Sequence, residues 1–235
     1  HMGDASAALA QALVAAQDER YHFFVILALG YWVAALHQSG QFDEALAIHE
    51  RTRQWLIEVA DGDPATDVWL ALPPLDIVIA RGDMDDARRR LKPLLQFADH
   101  ATPSLRTALI YFRAMRFHYY NGDCHTALEY LSRVEVAMDK LSLNWTWGWA
   151  PVAAWRRKIA LRQNRRQELL QWYAAHPVST QEPIAFRDEE ERLLDADVMA
   201  QTGLLEQAEA LAQTIARNAA QHERIFNQLL ALIVL

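Results

Sequence analysis

Cys124 stands beside His125, with His118 six residues upstream, and a thiol next to an imidazole is the raw material of nucleophilic catalysis. The spacing works against that use. Neighbouring helical residues point about 100° apart, and both residues fall at an expected helix–helix turn, so packing or turn surface is the favoured role. The histidines show no His-Glu-x-x-His or comparable ligand spacing, which leaves no zinc motif. "FRDEEER" puts Asp188, Glu189, Glu190 and Glu191 in the first turn of a helix, where carboxylates face the positive end of the macrodipole. Capping outweighs acid–base chemistry there. No Gly-x4-Gly-Lys-Ser/Thr phosphate loop occurs. The expectation is no enzyme, no metal and no cofactor.

Binding chemistry has better material. "NWTWGWAP" sets Trp145, Trp147 and Trp149 at alternate positions just before Pro151, a residue suited to the first turn of a helix. No regular helix presents all three indoles to one pocket, because Trp145 and Trp149 share a face and Trp147 points away. Packing between repeats is the favoured use. Ligand contact stays open, since loops at the rim of a groove commonly carry recognition.

Charge narrows the partners. Thirty acids against 23 bases leave a net charge of -7, without the positive field that draws a chain to nucleic acid or to an anionic membrane. One cysteine excludes an intrachain disulfide and suggests a reducing compartment. No apolar run reaches membrane-spanning length, and the N-terminus lacks the order of a signal peptide. The expected protein is soluble and cytoplasmic. His1 and Met2 read as a vector scar, and the apolar ending "NQLLALIVL" reads as a cut through a longer chain.

The elements that would position these residues repeat. "GQFDEALAIHE", "GDMDDARRRLK", "GDCHTALEYLS", "NRRQELLQWYA" and "GLLEQAEALAQ" start at Gly40, Gly82, Gly122, Asn164 and Gly203, in steps of 42, 40, 42 and 39 residues. Five residues further on come Ala45, Ala87, Ala127, Leu169 and Ala208. The Gly or Asn supplies a left-handed residue ending one helix, and the small Ala lets the next pack closely against it. Each unit is therefore a helical hairpin. First helices are expected near 20–38, 67–81, 104–121, 151–163 and 186–202, and second helices near 42–60, 84–99, 124–141, 165–176 and 204–221. A leading helix over 5–17 precedes them, and a last one opens near Glu223. Pro73 and Pro74 predict a kink or late start in the second unit, Pro93 predicts a bend, and "HPVSTQEP" over 176–183 is a connector. The fold expected is all-α: one domain over 3–235, a right-handed superhelical solenoid of about five hairpins.

These hairpins resemble tetratricopeptide repeats stretched to about 40 residues. The second half, from "RRKIALRQNRRQELLQWYAAHP" through "FRDEEERLLDADVMAQTGLLEQAEALAQTIARNAAQHERIFNQLLALIVL", resembles the repeat region of LuxR-type, MalT-like transcriptional regulators. Trp172, Glu189 to Glu191, the turn Ala200-Gln201-Thr202-Gly203 and Ala208 carry the likeness, over 155–235. Asn164 departs from it in place of a turn glycine. The resemblance implies a segment that receives a small-molecule inducer or a regulatory protein, flanked in the whole regulator by a nucleotide-binding switch and a helix-turn-helix, with self-association open.

The resemblance also implies that first helices line a concave surface. Counting back 13, 10, 6, 3 and 2 residues from each turn residue brings Trp69, Asp76, Phe112, Arg116, Tyr119, Tyr120 and Lys158 inward, with His37 and Gln38 from unit one and Glu190, Asp197 and Gln201 from unit five. The expected site uses Trp69, Phe112, Tyr119 and Tyr120 as stacking surfaces and Asp76, Arg116 and Lys158 as polar anchors, with Trp147 reaching in from the rim. A scaffold that binds a peptide or partner protein, unrelated to transcription, is the competing reading. Core packing is the alternative for each ring, and lone charges such as Asp76 and Arg116 fit that alternative poorly.

Overall fold

The structure, a computed structural model, describes residues 2–18, 21–59, 64–141, 152–179 and 184–235. Among them are twelve α-helices and no strand. A leading helix α1 (Met2–Asp18) is followed by pairs: α2 (His22–Gln38) with α3 (Phe42–Val59), α4 (Pro64–Ala80) with α5 (Met84–His100), α6 (Leu105–Tyr120) with α7 (Cys124–Leu141), α8 (Val152–Arg162) with α9 (Arg166–Ala175), and α10 (Phe186–Thr202) with α11 (Leu205–Gln221). The last helix is α12 (Ile225–Val234).

Every turn inside a pair is made by the residue the repeat singled out. Gly40, Gly82, Gly122 and Gly203 have φ of 74°, 76°, 83° and 94°, and Asn164 has 61°. The amide after each bonds back five residues, as Gln41 N–H does to the Leu36 carbonyl at 2.8 Å and Arg165 N–H to that of Ala160 at 3.1 Å. That bond stops the first helix and aims the second. Ala45, Ala87, Ala127, Leu169 and Ala208, five residues on, are all buried where the paired helices approach. A further left-handed residue, Glu223 at 60°, joins α11 to α12 and carries no glycine signature.

The prolines of the second unit do not delay its helix. α4 starts at Pro64 and runs through Pro73 and Pro74 to Ala80. Pro74 has no N–H for the carbonyl of Leu70, four residues back. His49 of α3 supplies one instead: its Nε2 donates to Leu70 O from a buried position. Burial lowers the His49 pKa, so the ring stays neutral and carries the proton where the carbonyl needs it.

The core passes from pair to pair. Ile77 of α4 packs with Leu29 and Leu36 of α2, and Ile110 of α6 with Leu75 and Leu91. Trp155 of α8 joins Met115 and Leu131, and Ala160 of α8 joins Ala196 and Leu211. First helices also touch one another in order: α2 packs on α4, α4 on α6, α8 on α10 and α10 on α12. Phe112 and Trp155 bridge α6 to α8. Finally Phe226 of α12 lies 4.6 Å from the ring of His37 and 6.1 Å from that of Phe42. The line of first helices thus bends round until its last member meets the turn end of α2. No helix among the described residues is long and apolar enough to cross a membrane.

Candidate ligand-binding site

One face of this line is charged at one level. Asp76, Arg116, Lys158 and Asp197 each stand six residues before their turn residue, on α4, α6, α8 and α10. Equivalent helical positions fall on equivalent faces, so parallel neighbours bring these side chains together. They pair off. Arg116 Nη1 donates to Asp76 Oδ1 at 3.2 Å, and Lys158 Nζ lies 2.7 Å from Asp197 Oδ2. Asp76 also accepts from Arg113 through its other oxygen. Arg113, buried, also donates through Nε to the Leu72 carbonyl and through Nη1 to the Leu109 carbonyl, each at 3.2 Å.

The surroundings tune these charges. Burial sets the Arg113 pKa below the ordinary arginine value, with Asp76 opposing. At Arg116 burial pulls the same way, but Asp76, Glu190 and Tyr120 outweigh it and the pKa is raised. Glu190 of α10 therefore faces Arg113 and Arg116 across the line of helices. Burial lowers the His37 imidazole to about 4, while Asp76 raises it and Arg116 lowers it further. His37, Asp76 and Arg116 thus share one neighbourhood.

The aromatic residues divide. Trp69 is half-buried and packs on the core between α4 and α6. Phe112 and Tyr119 are buried, both with ring edges against Trp155, at 6.2 and 5.4 Å. Arg162 Cζ sits 4.1 Å from the Tyr119 ring centre, and its guanidinium donates to the Tyr119 carbonyl. Burial pushes the Tyr119 hydroxyl pKa upward. Tyr120 is different: 42% of its surface is exposed, beside Tyr119 and Trp155. Among the described candidates it alone still offers much of its ring to a ligand. Trp147, with Trp145 and Trp149, lies outside the described residues.

Residues read as chemistry from the sequence find structural partners. His125 Nε2 is 3.3 Å from Glu129 Oε1, and His118 Nδ1 is 3.4 Å from Asp123 Oδ2. Cys124 is half-buried against the core of α6, α7 and α8. Glu189 is fully buried and accepts from Arg224, Asn218 and Asn227, which ties α10, α11 and the start of α12 together. Trp172 carries Arg157 Cζ 4.1 Å from its ring centre and His176 stacked at 4.7 Å. Arg157 in turn holds Asp195 at 2.6 Å, and the Tyr173 hydroxyl donates to the same oxygen at 2.8 Å. Glu191 sits 3.6 Å from Arg157, and burial, then Asp195, raises its pKa. No group of three or more His, Cys, Asp or Glu able to hold a metal occurs among the described residues.

Two partners of the axis escaped the repeat count. Arg113 is nine residues before its turn, one step off an inward position, and only the approach of α4 to α6 turns it to Asp76. Phe226 belongs to α12, whose return to α2 no local pattern encodes. The arrangement offers placed donors, acceptors and an exposed ring, with each charge already answered by another. Compared with protein-family models, with curated proteins and with solved structures, the chain finds no match, so its function rests on its own geometry.

Proposed function

We infer that this chain is a binding domain, the effector-sensing or protein-interaction segment of a LuxR-type, MalT-like transcriptional regulator acting in the cytoplasm, built as a short right-handed tetratricopeptide-like solenoid. The observation that carries the binding role is the charged axis: four inward residues at one repeat position, two ion pairs, and buried polar atoms beside them with no partner. Such polarity costs stability in a helix stack, because a buried ion pair seldom outperforms apolar packing of equal volume. A recognition role accounts for that cost. The effector would enter past Tyr120 and Arg162, both exposed at the turn end of the first helices.

The test is a thermal-shift screen of this chain against a metabolite set and a random peptide pool. A metabolite that raises the melting midpoint stoichiometrically, and loses its effect in Arg116→Ala, supports the sensor. Stabilisation by peptides alone, with no metabolite response, would replace it with the scaffold reading. One feature favours that second reading: α12 exposes Ile225, Leu229, Leu232 and Ile233, an apolar face of the kind that partners cover.

A further inference from the structure

A cleft of about 520 Å³ opens where the end of α5, the connection over 101–104, the first half of α6 and the second half of α7 come together. Small-molecule sites span roughly 300–1,000 Å³, so its size suits a ligand. Ala98, Ala101, Pro103, Val136 and Ala137 give it an apolar surface, and the Tyr111 ring stands at one side. Small side chains keep this space open where bulkier ones would fill it. Tyr111 is about 140° round α6 from Arg116, which puts the cleft on a different face of that helix from the charged axis.

Two polar groups of the cleft are already committed. The Thr107 hydroxyl donates to the Ser104 carbonyl and accepts the Ser104 N–H, each at 2.8 Å, in the cap of α6. The Tyr111 hydroxyl donates to the Ala98 carbonyl at 3.1 Å and is a further partner of Arg133. What remains for a ligand is the exposed Ser132 hydroxyl and one ion pair: Arg133 Nη1 of α7 meets Asp99 Oδ1 of α5 at 3.0 Å, each side chain 51% exposed. Arg133 Cζ lies 5.5 Å from the Tyr111 ring centre and 5.4 Å from that of Tyr130, so the aromatic rings hold the guanidinium in place.

The pair selects the ligand. An exposed ion pair contributes little to stability, so opening it costs little. A lone carboxylate on Arg133 would lie beside Asp99, and a lone ammonium on Asp99 would lie beside Arg133, each against a like charge at short range. A molecule with both charges avoids that repulsion and answers both side chains. An α-amino acid carries its carboxylate and ammonium on one carbon, which suits a cation and an anion in direct contact, and its side chain leaves that carbon for the apolar surface.

We propose that this cleft binds a free apolar α-amino acid, with its carboxylate on Arg133, its ammonium on Asp99 and its side chain over Ala98, Ala101 and Ala137 beside Tyr111. The site is separate from the charged axis and goes beyond the function inferred from it, so either stands or falls without the other.

Isothermal titration calorimetry of the whole chain tests it with L-phenylalanine and L-leucine against three controls: 3-phenylpropionate lacks the ammonium, phenethylamine lacks the carboxylate, and glycine lacks the apolar body. The expected result is saturable binding of an amino acid at a single site, with the controls weaker by about tenfold or more. Asp99→Asn should erase the preference over 3-phenylpropionate, and Arg133→Gln the preference over phenethylamine, while both variants melt close to the unmodified chain because the pair is exposed. Ser132→Phe, which fills the cleft from an exposed position, should abolish binding. Control ligands that bind as well as the amino acids, or amino-acid binding that survives Ser132→Phe, would overturn the proposal. So would the absence of heat from either amino acid at millimolar concentration.

Discussion

Arg116 and Asp76 meet at 3.2 Å although 40 residues separate them, and each occupies the same place in its own repeat. Asp76 is the shared acceptor of two arginines, so the two partners are not equivalent. Asp76→Asn removes the carboxylate that both buried arginines bond, leaving only the influence of Glu190, and should cost about 3 kcal/mol. Arg116→Met leaves Asp76 paired through Arg113 and should cost about 1 kcal/mol. Urea unfolding of both variants checks the order; equal losses would show that the arginines do not share Asp76.

Acid should weaken the fold through His37. Its folded pKa is about 4 against 6.5 for a free imidazole, so the unfolded chain binds the proton first. The stabilisation is complete above about pH 6.5 and falls by about 1.4 kcal/mol per unit as the pH drops towards 4. His49, also lowered, acts in the same direction. The groups around His37 are Asp76, Arg116 and the rings of Phe42 and Phe226. His37→Gln should flatten, without abolishing, the decline in melting midpoint between pH 7 and pH 4.5.

The His49–Pro74 relationship predicts a compensating pair. His49→Leu strands the Leu70 carbonyl and should cost about 2 kcal/mol. Pro74→Ala restores the missing N–H inside the helix, so in that background His49→Leu should cost about 1 kcal/mol less. A double-mutant cycle by denaturant unfolding measures the coupling. A coupling of zero would remove His49 as the substitute donor.

The turn residues differ in what surrounds them. A Cβ at Gly203 would come 2.9 Å from Arg166 Nη2, whose guanidinium donates to the Thr202 carbonyl, whereas Gly82 has open space. Both have positive φ. Gly82→Ala should therefore cost about 1 kcal/mol of backbone strain, and Gly203→Ala that plus the displaced arginine contact. Asn164→Gly should be neutral or slightly stabilising, which thermal melts would register.

Removing Glu189 should release α12. It is fully buried and accepts from residues of α11, the turn and α12. Glu189→Leu removes the buried carboxylate that Arg224, Asn218 and Asn227 share and should cost about 3–5 kcal/mol. Hydrogen exchange should show the loss first in the amides of α12, while α4 to α7 keep their protection.

The hairpins were legible in the residues because their causes are local. A left-handed Gly or Asn, a bond back over the turn and a small buried residue five positions on all act within one pair of helices, so the register of Gly40, Gly82, Gly122, Asn164 and Gly203 could be read directly. The repeat register also brought Asp76 to the level of Arg116 and Lys158 to that of Asp197, because parallel helices with equal registers align equal positions. Three things needed the tertiary structure. Whether a ring packs or stays open depends on how close the next helix comes, which buries Phe112 and Tyr119 against Trp155 and leaves Tyr120 out. The continuity of α4 depends on His49, 25 residues upstream of the proline whose missing N–H it replaces. The return of α12 to α2 depends on the summed rotation from pair to pair, a global quantity that no single repeat contains and that brings Phe226 to His37.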